Sequence, residues 1–169
     1  MANPRKPLRL NVGFLVNSPI GVNRVFDFEA ESLPVGDDLV LADFYGTAKI
    51  SRTPQGLLVQ GEFEGTIPLD CVRCLTEFSK KLHWDFTELY AFKRENMTDS
   101  GLMMPEDAHI DLQPLMREYA LLEVPIKPLC KPDCKGLCSV CGENRNEVDC
   151  GHNEDEGSSP FSDLGNLLK

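Results

Sequence analysis

Apolar and polar side chains alternate through the first half of the chain with a period of two, the spacing of a strand that buries one face. "LRLNVGFLV" puts Leu8, Leu10, Val12, Phe14 and Val16 on one parity, which predicts a strand running through Val16. "NRVFDFEA", with Val25, Phe26 and Phe28, predicts a second strand, and "LVLADFYGTAKISR" a third. The third leads into "TPQG", Thr53 to Gly56, a Pro-x-Gly turn suited to a hairpin. "LLVQGEFEGTIPLD" returns with Leu57, Val59, Gly61, Phe63, Gly65 and Ile67 on one parity. Its two glycines predict a bulge, a bend or the close approach of another backbone. "TEFSKKLHWDFTELYAF" gives a further strand through Phe78, Leu82, Trp84 and Phe86.

The period then changes. "KRENMTDSGLMMPEDAH" has none and reads as a loop. "IDLQPLMREYALLEVP" carries Leu112, Leu115, Met116, Tyr119 and Leu122 as an apolar stripe at helical spacing. Asp111 serves as its N-cap, Pro114 stands in the first turn where its missing N–H costs little, and Pro125 ends it. These elements predict an α+β fold, a mainly antiparallel β meander or barrel-like sheet with one principal helix at about 111–123. The expected organisation is a β-rich core over 1–126 and a cysteine-rich segment over 127–152 packed on it. An acidic linker and a short amphipathic helix follow over 153–169. In that tail Phe161, Leu164, Leu167 and Leu168 share a helical face, which either folds back on the body or docks on a partner.

Composition narrows the class. The 169 residues, 41% apolar and 26% charged, suffice for a packed core, and no apolar run reaches the ~20 residues that span a bilayer. The N-terminal stretch is interrupted by Asn11, Asn17 and Pro19 and reads as no secretory signal, so the chain is expected in the cytoplasm. A net charge of −10 opposes broad contact with phosphate backbones.

Against that background the cysteines stand out. "LDCVRCL" holds Cys71 and Cys74, and "PLCKPDCKGLCSVCGENRNEVDCGH" holds Cys130, Cys134, Cys138, Cys141 and Cys150 and closes with His152. Reduced cytosolic thiols and an odd count of seven argue against a disulfide framework. C-x2-C is the recurring half-site of structural zinc, because a tight turn lets two thiolates converge on one ion. Cys71–Cys74 and Cys138–Cys141 have that form, Cys130–Cys134 is a looser half-site, and Cys150 and His152 flank Gly151. Eight soft ligands make two tetrahedral sites. One pairing joins Cys71, Cys74, Cys130 and Cys134, and leaves Cys138, Cys141, Cys150 and His152 to close locally. A ribbon-like alternative joins Cys71 and Cys74 to Cys138 and Cys141. Either arrangement is closed, whereas catalytic zinc keeps an open position. His83 and His109 lie in no recognisable catalytic motif, and there is no P-loop, Rossmann fingerprint or nucleophile elbow.

"GLLVQGEFEGTIPLDCVRCLTEF", "LDCVRCLTEF" within it, and "CKGLCSVCG" resemble the YceD family, bacterial and plastid large-subunit ribosomal RNA accumulation proteins. The resemblance implies a role in the synthesis, processing or stability of 23S ribosomal RNA. His152 stands where the family usually has cysteine, a change zinc tolerates, and Arg145 replaces a usual apolar residue. The combined expectation is a non-catalytic, two-zinc factor in biogenesis of the large ribosomal subunit. Its partner would be ribosomal RNA, or a large-subunit ribosomal protein or assembly factor. Arg73, Lys80, Lys81, Lys127, Lys131, Lys135 and Arg145 are the candidate RNA contacts, although Glu77, Asp133, Glu143 and Asp149 intermix with them. The rival readings are a zinc-bearing protein adaptor without RNA contact and a zinc or thiol-redox enzyme.

Overall fold

The computed structural model describes residues 7–36 and 39–152, so the tail expected over 153–169 lies outside the described residues. The chain divides into two compact units. The first runs to Leu69 and resumes from Ser79 to Ile126, and the second joins Asp70–Phe78 to the segment from Lys127 onward.

The first unit is built on four long strands, β2 (Asn23–Pro34), β3 (Val40–Arg52), β4 (Gly56–Asp70) and β5 (Glu77–Ala91), in the order β2-β3-β4-β5. β2 and β3 pair antiparallel from Asn23↔Ser51 to Pro34↔Val40, and β3 and β4 pair antiparallel around Ile50↔Val59. The expected meander is present. A barrel is not: β2 and β5 do not pair, and the sheet stays open. Four strands are too few to enclose a core, since a side-chain-filled barrel takes roughly eight. The apolar face is instead covered by α2 (Gln113–Leu122) and by a two-stranded ribbon of β1 (Arg9–Asn11) and β6 (His109–Asp111), whose residues share one buried cluster with the sheet.

The alternation in β4 holds throughout, with Leu57, Val59, Phe63 and Ile67 buried. β3 departs from simple parity, because Leu41 and Phe44 are both buried. The register explains this: Ala42 pairs with Thr66 but Tyr45 with Glu64, so Asp43 and Phe44 together oppose Gly65. That is a β-bulge, with Asp43 at φ 48 taking the extra residue, and it inverts which parity faces the core. The other glycine of the pair, Gly61, makes room for aromatic rings rather than for backbone. A Cβ there would fall 2.5 Å from the Phe63 ring and 2.8 Å from the Phe86 ring. Phe63 stacks on Phe86 and Phe44 at centroid distances of 5.9 and 5.7 Å, and Tyr119 of α2 stacks on Phe86 at 5.1 Å.

Sequence expectations are corrected at the ends of this unit. The first strand stops at Asn11, and Gly13–Val16 form a helical turn, α1. Val12 and Leu15 are buried at a spacing of three while Phe14 is 51% exposed, so the helical period wins over the alternation there. In α2 the stripe ends on buried Ala120, whereas Leu122 is 73% exposed. The segment just before α2 begins as strand, with Leu10↔Ile110 buried at the centre of the ribbon. The N-cap is Leu112 and not the expected Asp111, which stands one residue earlier and accepts the Gln113 N–H on its Oδ1 at 3.0 Å.

Candidate metal centres

Among the described residues the second unit has almost no regular secondary structure, and a small apolar cluster of Phe78, Leu129 and Leu137 surrounds Cys71, Cys74, Cys130 and Cys134. Its shape comes from turns that aim sulfur atoms inward. In the first knuckle the Leu75 N–H bonds the Cys71 carbonyl at 2.9 Å and the Cys71 N–H bonds the Thr76 carbonyl at 3.0 Å. In the second the Gly142 N–H bonds the Cys138 carbonyl at 2.9 Å and the Cys138 N–H bonds the Glu143 carbonyl at 2.8 Å. The same turn is built twice, and each time it closes on a residue with positive φ, Leu75 or Gly142.

The two knuckles do not face one another, as the ribbon-like pairing requires. Cys71, Cys74, Cys130 and Cys134 form one group, and Cys138, Cys141, Cys150 and His152 form a second, each with its ligand atoms within 4.8 Å of one another. In the first group Cys71 Sγ lies 3.7 Å from Cys134 Sγ, and Cys74 Sγ lies 3.6 Å from Cys130 Sγ. Two thiolates on one tetrahedral zinc, each at about 2.3 Å, stand about 3.8 Å apart, so the spacing suits that ion. It is far too long for disulfides, and all seven cysteines are free. In the second group Cys138 Sγ and His152 Nδ1 are 3.8 Å apart, near the roughly 3.6 Å that zinc–sulfur and zinc–nitrogen distances give.

The electrostatics also fit a cation. Burial pushes the Cys71 thiol up, but the N–H groups of Cys130, Cys74 and Arg73 outweigh it and hold it down at about 6. The hydroxyl and N–H of Thr76 lower Cys74. Burial, with the neighbouring sulfurs of Cys74, Cys134 and Cys71, drives Cys130 up to about 12. In the second group the N–H groups of Cys141 and Val140 bring Cys138 down to about 6. The Glu143 N–H favours the Cys141 thiolate, yet desolvation and the nearby Cys138 and Cys150 sulfurs raise it overall. In the first group Cys71 and Cys74 are thus eased toward the thiolate while Cys130 resists it, and in the second Cys138 is eased while Cys141 resists, because burial and neighbouring sulfurs oppose a further negative charge. A divalent ion removes that conflict, and it would be held by these eight residues.

Residues outside the cysteine pattern brace the first group. Asn146 Nδ2 donates to Cys134 Sγ at 3.4 Å while its Oδ1 accepts the Lys135 N–H at 2.9 Å. Thr76 Oγ1 lies 3.3 Å from Cys74 Sγ. Gly136, at φ +76, lets the backbone approach Arg73, whose carbonyl would meet a Cβ at 3.1 Å. Sequence reasoning missed Thr76, Gly136 and Asn146; the one available signal was "NRN" lying inside a segment otherwise rich in ligands.

The candidate RNA contacts separate into kinds. Arg73 Nη1 donates to the Cys134 carbonyl at 2.8 Å, so its guanidinium braces the first group. Arg145 is half-buried, and its N–H bonds the Gly136 carbonyl at 3.0 Å. Lys80 and Lys81 belong to the first unit, whereas Arg73, Lys127, Lys131, Lys135 and Arg145 belong to the second. Lys81 is tied to Glu64 and, at 2.8 Å, to the Tyr45 hydroxyl; the bond to Glu64 raises its pKa. Lys127, Lys131 and Lys135 are exposed in the second unit. His83 lies 3.5 Å from Glu64 and 3.9 Å from Glu62 on the solvent face of the sheet, and His109 is held at 2.6 Å by the Asp107 carbonyl.

Residues 59–168 match the family described as "Large ribosomal RNA subunit accumulation protein YceD". The chain belongs to this family. The matched stretch of this YceD chain runs through both cysteine groups. It is also similar to an uncharacterised protein of Mycobacterium tuberculosis, 27% identical over 145 residues that cover 80% of this chain and 70% of that one. A Mycobacterium leprae protein is 26% identical over 124 residues, 71% of this chain and 57% of its own. The chloroplastic "Large ribosomal RNA subunit accumulation protein YCED homolog 1" of Arabidopsis thaliana is 36% identical over 63 residues, 37% of this chain and 20% of its own length. No solved structure matches the chain.

Proposed function

We propose that this protein supports accumulation of 23S ribosomal RNA during biogenesis of the large ribosomal subunit, as a non-catalytic factor whose second unit is held by two zinc ions. The observation that carries the reading is the family match over residues 59–168, which spans all eight candidate ligands. The absence of an open position in either four-ligand set supports a structural metal over a catalytic one. The cytoplasm of a bacterium is the compartment that suits this work. Among the described residues no helix is long and apolar enough to cross a membrane, and a relative in plants carries a chloroplastic name.

RNA contact would fall to Lys127, Lys131, Lys135 and Lys80, with Arg73, Lys81 and Arg145 in supporting positions. A second reading, docking on a large-subunit protein or assembly factor, draws support from the engagement of Arg73 and Lys81 within the fold. Salt separates the two. Phosphate contacts weaken steeply as salt rises, and an apolar protein interface does not. The test of the function itself is the ratio of large-subunit to small-subunit ribosomal RNA in cells lacking the protein. The ratio falls if the reading is right and stays unchanged if it is wrong.

A further inference from the structure

Burial divides the eight ligands unequally. In the first group Cys71, Cys74 and Cys134 are 0%, 5% and 2% exposed, and Cys130 is half-buried. Arg73 and Asn146 bond around Cys134, and Phe78, Leu129 and Leu137 pack against the sulfurs. In the second group only Cys138 is buried; Cys150 is half-buried, and Cys141 and His152 are exposed. Gly142 follows Cys141 and Gly151 follows Cys150, at φ +76 and +67, and a Cβ at either would meet nothing within 4 Å. The residue after each cysteine thus borders open space, and Cys141 itself is exposed. The two cysteines come from separate stretches of one loop, yet their sulfurs lie within 4.8 Å of each other.

We propose that Cys141 and Cys150 form an oxidation site for small peroxides, and that their disulfide opens the second metal centre while the first stays intact. This rests on the reading that both groups bind zinc. The Cys141 thiolate attacks one peroxide oxygen, the O–O bond breaks, and a sulfenic acid forms with release of hydroxide. The Cys150 thiolate then attacks the Cys141 sulfur and expels a second hydroxide, forming the S–S bond. Two electrons pass from the thiolates to the peroxide, and solvent protons convert both hydroxides to water. The ligand set is reduced to Cys138 and His152, too few to retain a structural ion. The first group resists the same chemistry because its sulfurs are shielded and braced.

The test treats the zinc-loaded full chain with hydrogen peroxide in the presence of a metallochromic indicator, followed by peptide mapping of disulfides. One equivalent of zinc should leave about 10–100-fold faster than the other, with a Cys141–Cys150 linked peptide as the product. Cys74→Ser, which disables the first centre, should keep the fast phase; Cys150→Ser should lose it. Equal release rates from a protein that starts with two zinc ions overturn the inference alone. So does a disulfide within the Cys71, Cys74, Cys130 and Cys134 set, or a fast phase that survives Cys150→Ser. A chain that starts with no bound zinc overturns the zinc reading itself and this inference with it.

Discussion

Leu75 occupies the backbone position in the first knuckle that Gly142 occupies in the second. Both donate their N–H at 2.9 Å to the carbonyl of the knuckle's leading cysteine, and their φ values are 58 and 76. Glycine takes this conformation freely, whereas a side chain there costs about 1–2 kcal/mol. Leu75 is 67% exposed, so little packing offsets that cost. Leu75→Gly should therefore leave the thermal stability of the zinc-loaded protein unchanged or raise it by up to about 1 kcal/mol, after allowance for the freer unfolded chain. The converse change at the matching position, Gly142→Ala, should cost about 1–2 kcal/mol through torsion alone, since a Cβ there meets nothing within 4 Å. Paired thermal melts check both, and a large loss in Leu75→Gly contradicts the comparison.

Gly61 tests the aromatic stack. Its missing Cβ is what lets Phe63 and Phe86 meet, so Gly61→Ala should destabilise the protein by about 1–3 kcal/mol through overpacking. Adding Phe86→Leu should recover part of the loss, because the smaller side chain vacates the contested space. Denaturant unfolding of the single and double variants measures the coupling, and simple additivity would contradict it.

Alkaline pH tests the layer between α2 and the sheet. Burial, with Asp111 and Glu88, raises the Tyr90 pKa to about 12, and the bond from the Tyr119 hydroxyl to Glu88 at 2.7 Å raises Tyr119 to about 12. The folded state thus holds both protons more tightly than the unfolded chain does. Their contribution is complete below about pH 10 and is lost as pH climbs through about 12. Unfolding free energy should decline across that window, and Tyr119→Phe should make the decline shallower. At neutral pH the same variant should cost about 1 kcal/mol for the lost hydrogen bond. An identical alkaline decline in the variant would contradict the assignment.

Much of this was legible in the sequence because one period dominates each long element. β4 kept its alternation from Leu57 to Ile67, and of its glycine pair Gly65 lies opposite a bulge while Gly61 makes room for aromatic rings, which the pattern did not show. The failures came where elements are short. Leu8 to Val16 fits a strand equally well on paper, but only three residues pair before the chain turns helical, and three residues carry too little pattern to decide. His109 to Asp111 was hidden for the same reason. The open edge of the sheet is a matter of strand number, which alternation does not encode. At the candidate metal centres, spacing suggested the two groups of four that the structure brings together but not the residues that support them. The role of Asn146 depends on contacts 11 and 12 residues back along an irregular loop, and that of Thr76 on the local geometry of a turn, neither of which spacing reveals.

The two ligand groups should fail separately when single ligands are replaced. Cys74→Ser and Cys141→Ser should each reduce bound zinc by one equivalent, because the groups share no ligand. Cys74→Ser should cost more stability, since the sulfur it replaces is buried while Cys141 is exposed. Metal content combined with hydrogen exchange across residues 70–78 and 127–152 measures both effects. Loss of both ions in either variant would show that the groups act as a single unit.

The account stands or falls on metal content. Structural zinc contributes roughly 10–16 kcal/mol of apparent binding energy in small peptides, enough to shape a unit with so few apolar contacts. Elemental analysis of the full chain, purified without added metal or chelator, should return two zinc ions per molecule. A value well below one would contradict the account.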